Sequence, residues 1–163
     1  MKILGIDPGT TRIGYGLIES EGPRLLRYGV LEIAGASPLE KLEKLRRAFT
    51  ALIKRLTPAV AGIETIYFSK NRKTALAVAH ARGVLLSLLL AKKIPIRECT
   101  PNEVKLAVAG YGNADKAAVA SLAKKILGSA DLVGYDDASD AVAIALATAS
   151  FETFARRVTN QEK

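Results

Sequence analysis

The chain has 163 residues, 49% apolar and 6% aromatic with no Trp, enough to bury one core in a single α/β domain spanning 1–163. One cysteine (Cys99) allows no internal disulfide, the longest apolar run (Val84 to Ala91) falls short of a bilayer span, and Asp7 arrives too early for a signal peptide. Those features predict a cytoplasmic protein without a membrane partner, and a net charge of +8 from 24 Lys and Arg against 16 Asp and Glu favours a polyanionic one.

Three β-branched apolar runs come first: 2–7 (KILGID), 12–20 (RIGYGLIES) and 24–34 (RLLRYGVLEIA). The turn-forming links PGTT and EGP between them suit an antiparallel meander. A helix follows to Leu56, opened by a Ser37–Glu40 capping box with Pro38 at its first position. Residues 59–64 (AVAGIE) read as a buried strand, about 74–90 as a helix, and 94–99 (IPIREC) as a further strand. Thr100-Pro101-Asn102-Glu103 repeats the helix-start signature and opens a short helix to Ala109. Gly110 and Gly112 break it. Two more helices follow, over ADKAAVASLAKKIL and from Asp136 onward, with a polar C-terminal tail from about 157. The order βββ-α-β-α-β-α-α-α implies a mixed five-stranded sheet, three antiparallel strands then two parallel, flanked by helices.

In that arrangement strand one lies beside strand four, so Asp7 and Glu64 end neighbouring strands. Two carboxylates that close repel unless they share a proton or a cation. The last helix adds Asp137 and Asp140, three apart and so on one face, while Asp136 and Asp140, four apart, offer a second register. Asp136 also reads as an N-cap. Acids gathered at one sheet edge with no His or Cys form a hard oxygen site suited to Mg²⁺ or Mn²⁺. Two such ions stabilise attacking and leaving oxygens in phosphodiester hydrolysis. The basic charge is concentrated as well. From Lys70 to Lys105, eight basic residues stand against two acids, +6 of the total.

The stretches ILGIDPGTTRIGYGLIE, AGIETIYFSKN, ARGVLL, TPNEVKLAVAGYGNADK and DDASDAVAIALA resemble the successive motifs of the RuvC family, Holliday-junction resolvases with a ribonuclease H-like fold. The resemblance runs from Met1 to about Ser150. It implies an endodeoxyribonuclease that nicks four-way DNA junctions symmetrically in recombination and repair. It also implies two Mg²⁺ ions held by Asp7, Glu64, Asp137 and Asp140, with Mn²⁺ able to substitute. The third of these positions is His in some members. Tyr67, with Phe68 beside it, falls on the aromatic that stacks on a base, and Lys105 and Lys116 fall on cations near the scissile phosphate. Lys70, Asn71, Arg72 and Lys73, in the polar stretch after those rings, are further expected DNA contacts. A near two-fold junction calls for a C2 homodimer, with the helix over 74–90 and its small residues as part of the interface. A branch-migration motor is the other partner implied.

Other readings compete. GIDPGTT is close to the phosphate turn of actin-like sugar kinases, but those need two lobes. A ribosomal-RNA nuclease with the same acids and a silent nucleic-acid-binding module are the remaining alternatives. His80 and Cys99 read as structural residues, Gly9 and Gly14 as turn and packing glycines, and Thr10 and Thr11 as turn residues.

Overall fold

The structure, a computed structural model, describes residues 1–65, 72–129 and 136–161, with side chains outside the description at 72–73 and 156–161. Its elements are β1 (Lys2–Asp7), β2 (Arg12–Glu19), β3 (Arg24–Glu32), α1 (Pro38–Leu56), β4 (Val60–Glu64), α2 (Arg72–Ala91), β5 (Ile96–Cys99), α3 (Pro101–Ala109), α4 (Lys116–Leu127) and α5 (Asp136–Gln161). The sheet runs β3-β2-β1-β4-β5. β1 pairs antiparallel with β2 and parallel with β4, and β4 pairs parallel with β5. The mixed five-stranded sheet expected from the element order is the one found.

Strand periodicity decides what lies on each face. Successive side chains alternate, so Leu4 and Ile6 join Ile13, Leu17, Ala61 and Ile63 in the core beneath α1 and α2. Ile3, Gly5 and Asp7 turn the other way, towards α5, as do Gly62 and Glu64 on β4. The two acids therefore share a face as well as an edge.

On that face the sheet has few side chains to offer. A Cβ at Gly5 would lie 1.9 Å from the Ala141 carbonyl oxygen, and one at Gly14 would lie 1.9 Å from that of Asp137. The bare strands form a shallow bed into which the α5 backbone sinks, its Ala141 to Ala147 segment wholly buried. Gly14 thus serves close packing against a helix.

Several local expectations need adjustment. At α1 the Ser37 hydroxyl accepts from Glu40 N as expected, but the Glu40 carboxylate accepts from Ala36 N (2.8 Å), one residue before the cap, while also pairing with Lys44. The reciprocal half of that capping box is absent. At α3 the box is complete, with Thr100 and Glu103 each capping the other's backbone N–H. α5 continues as helix to Gln161, past the point where the sequence turns polar. α2 begins at Arg72. Its Thr74–Ala91 stretch has mean hydropathy 1.7 and is long and apolar enough to cross a membrane by length and composition. Counting only the uninterrupted run missed this, because one helix window tolerates His80 and Arg82. One side of α2 places Ala81, Leu85 and Leu89 in the core against α1 and the sheet.

Candidate metal and nuclease site

The β1–β4 pairing closes at Ile6–Ile63, which leaves Asp7 and Glu64 as the next residues on adjacent parallel strands. Asp7 also faces Gly14 in the β1–β2 register, and the backbone of Asp137 rests against that glycine. One close approach therefore carries the start of α5, with Asp137 and Asp140, to the end of β1.

The charges register this crowding. Burial pushes the Asp7 carboxyl up to about 7, helped by the charges of Glu64, Asp140 and Asp137 and opposed by Lys116. Glu64 is raised by burial and then by Asp140. Asp140 is raised by burial, although Lys116 pulls it down. Lys116 is the first residue of α4, after the N-cap Asp115, where the helix dipole disfavours a cation. Its ammonium lies 2.7 Å from Asp140 and 3.6 Å from Asp136. Burial disfavours its charge, but the Asp140 hydrogen bond and the surrounding acids raise it. Lys105 lines the same cleft as Glu64, Lys116 and Asp140, with Val104 and Ile144 among the apolar wall residues.

Asp137 and Asp136 part company here. The Asp137 side chain is 32% exposed and ion-paired with Arg12 (Nε–Oδ2 3.1 Å), whereas that of Asp136 is 81% exposed. Asp137 is among the charges that raise the Asp7 carboxyl. Arg12 was missed by sequence reasoning. The available signal was its place at the start of β2, just after the turn that follows Asp7. Tyr67, Phe68, Lys70 and Asn71 lie outside the described residues, and Arg72 and Lys73 are the first two residues of α2 with side chains outside the description. Cys99 is buried with its thiol pushed up, as its structural reading requires, whereas His80, read as a structural residue of an apolar helix, is exposed beside Thr10 and Lys41.

Among the described residues, no three acidic, His or Cys groups converge closely enough to hold one ion as they stand. The two α5 acids instead carry protein cations, Arg12 and Lys116. The donor set is nonetheless the one a hard divalent cation requires. It consists of four carboxylates, two on the carboxyl ends of central strands, with more negative charge than the neighbouring cations offset at Asp7.

A five-stranded sheet in this order, with acids at the ends of its two central parallel strands and on the last helix, defines a ribonuclease H-like nuclease. Residues 3–148 match the family described as crossover junction endodeoxyribonuclease RuvC. A curated protein of that name from Moorella thermoacetica is 42% identical over 160 residues, 96% of each chain. The solved Thermus thermophilus RuvC covers 95% of this chain and 97% of its own, at 29% identity and TM-score 0.87. T. thermophilus RuvC in complex with a Holliday junction substrate covers 95% and 96%, at 30% identity and TM-score 0.88. This chain belongs to the RuvC family.

Proposed function

We propose that this protein resolves four-way DNA junctions, as a Mg²⁺-dependent endonuclease working as a homodimer. The observation that carries the proposal is the placement of Asp7, Glu64, Asp137 and Asp140 around one end of the sheet, where burial first, and then the charges of the other three acids, raise the Asp7 carboxyl to about 7. Those four residues would hold the metal, two ions per site, with Mn²⁺ an acceptable substitute. Bound there, divalent ions supply an activated water and neutralise charge developing on the phosphate.

The chain's own groups do the rest. Asp7 must shed its proton to ligate. Lys116 and Lys105 place ammonium groups in the cleft, where a phosphate oxygen can take over the contact that Lys116 now makes with Asp140. Tyr67 and Phe68 follow Glu64 by three and four positions in the sequence and are the candidates to stack on a junction base, a contact contributing roughly 1–3 kcal/mol. Lys70, Asn71, Arg72 and Lys73 continue that stretch as phosphate contacts, which position the duplex without reading sequence.

The outward face of α2 supports the dimer. Leu76, Ala77, His80, Gly83, Ser87 and Leu90 are all exposed and follow helical spacing, and a Cβ at Gly83 would meet open space. The fold itself does not need that glycine, whereas a second helix approaching closely would. A branch-migration motor is a further expected partner, and the cytoplasm the expected compartment.

The test is incubation with a labelled synthetic four-way junction, with and without Mg²⁺, beside a linear duplex and an RNA hairpin. Paired symmetric nicks in the junction alone, and only with metal, are expected. Asp7→Asn should bind the junction and leave it uncut. RNA cleavage, or cutting that survives Asp7→Asn, would overturn the reading.

A further inference from the structure

Glu64 faces the cleft on one side of the sheet, and on the other side stands a cation with no place in that cleft. Arg82, on α2, has a side chain only 15% exposed. Its Nε donates to the main-chain oxygen of Glu64 at 3.1 Å, and its Nη2 pairs with the Glu98 carboxylate. Glu98 sits opposite Ile63 in the β4–β5 register, on the core side of α1 and α2, so the guanidinium approaches β4 from behind.

What it meets there is the point where the ladder fails. The β1–β4 pairing ends at Ile6–Ile63, and the residue following Asp7 is Pro8, which has no N–H to give. On the other side, Thr65 N donates to the Cys99 oxygen at 2.9 Å. The single peptide unit joining Glu64 to Thr65 is thus gripped at both ends, its carbonyl by Arg82 and its N–H by β5. Beyond it the strand ends.

The chemistry favours arginine for this post. Its donors are held in a rigid planar fork that can serve two acceptors on different elements, here β4 and β5, while a lysine presents one mobile point charge. A largely buried guanidinium is tolerable only because both acceptors are present.

We propose that Arg82 is a positioning residue for the metal-binding end of β4. It fixes the Glu64–Thr65 peptide from the face opposite the cleft, and so ties the aim of the Glu64 carboxylate to the seating of α2. The inference rests on Glu64 being a metal ligand. Residues that orient ligands from behind in this way alter metal affinity by about 10- to 100-fold when removed.

The experiment compares wild type with Arg82→Gln, Arg82→Lys and Glu98→Gln in the full-length protein. Two quantities are read: Mn²⁺ affinity of the DNA-free protein by calorimetry, and the Mg²⁺ concentration giving half-maximal junction cleavage. Arg82→Gln should weaken Mn²⁺ binding by about 10-fold or more and raise the Mg²⁺ requirement by a similar factor. Metal-free junction binding should stay within about twofold, since a merely structural loss would move binding and metal affinity together. Arg82→Lys should recover part of the loss, and Glu98→Gln should move both quantities the same way by less.

Unchanged Mn²⁺ affinity in a folded Arg82→Gln protein overturns the proposal. If that variant fails to fold, wild-type Mn²⁺ affinity in both Arg82→Lys and Glu98→Gln overturns it equally. A wild type that binds Mn²⁺ but cuts no junction refutes the proposed substrate, and leaves the calorimetric comparison to decide on Arg82.

Discussion

Asp7 is the residue on which charge, burial and position meet. Its carboxyl is raised from 3.8 to about 7, so the folded state holds the proton more tightly than the unfolded chain does. The associated stability is fully present below pH 3.8 and is lost as pH rises through about 7, and Glu64 and Asp140 shift in the same direction. Ionising Asp7 costs on the order of 4 kcal/mol. The metal-free protein should therefore lose thermal stability between pH 5 and 8. Mg²⁺ should restore more of it at pH 8 than at pH 5, where protons compete for the site. Melting curves with EDTA or with Mg²⁺ across that range test this, and a flat metal-free profile would count against the crowded site. The neighbouring pair Asp136 and Asp137 yields a second expectation. Asp137→Asn should reduce cleavage at least 100-fold, whereas Asp136→Asn, at an exposed position on the rim, should change it less than about threefold; single-turnover cutting rates discriminate them.

At the scale of elements, the glycines of β1 and β2 set the height at which α5 lies, and hence where its acids stand. Gly14→Ala would bring a methyl into the Asp137 carbonyl, a clash with backbone that no rotamer change relieves. The start of α5 must lift, taking Asp137 and Asp140 from Asp7. Cleavage should fall at least 10-fold, while Gly83→Ala on open surface should leave the metal site as it is; Mn²⁺ affinity of the two variants makes the comparison. The sheet order, the helices and the placement of Asp7 and Glu64 at neighbouring strand ends were legible in the sequence, because strand alternation, cap signatures and the position of a charge at an apolar run's end are local signals; spacing alone left Asp136 and Asp137 open, and the family resemblance favoured Asp137. The bed of glycines was not. It needs three strands in register before it exists, and no single stretch shows it. Arg12 and Arg82 escaped for the same reason. An arginine reads as surface until pairing sets Arg12 against Asp137 and Arg82 behind Glu64, partners 125 and 18 positions away. The Ser37–Glu40 box shows the opposite limit: the pattern was right, but a neighbouring N–H at Ala36 took the carboxylate.

For the whole molecule, one cleft would cut one strand, and a four-way junction needs two cuts placed symmetrically, so the proposed function calls for a dimer. The exposed stripe on α2 carries no Lys, Arg, Asp or Glu, with Leu76 64% and Leu90 66% exposed at its two ends, four turns apart on one side of the helix. Covering a leucine of this kind contributes roughly 1.5–3 kcal/mol, and a C2 axis through the stripe doubles every contact. Placing a charge at either end forces a carboxylate into that apolar contact twice over. Leu76→Glu with Leu90→Glu should shift the protein from dimer to monomer in sedimentation equilibrium at micromolar concentration. On a supercoiled plasmid carrying an extruded cruciform, the wild type should give linear product from two nicks within one binding event. The double variant should accumulate open circles from single nicks, with its Mn²⁺ affinity unchanged, because the carboxylate cluster is built within one chain. Linear product from a demonstrated monomer would show that the two cuts are independent, and the role assigned to the α2 face would have to be given up.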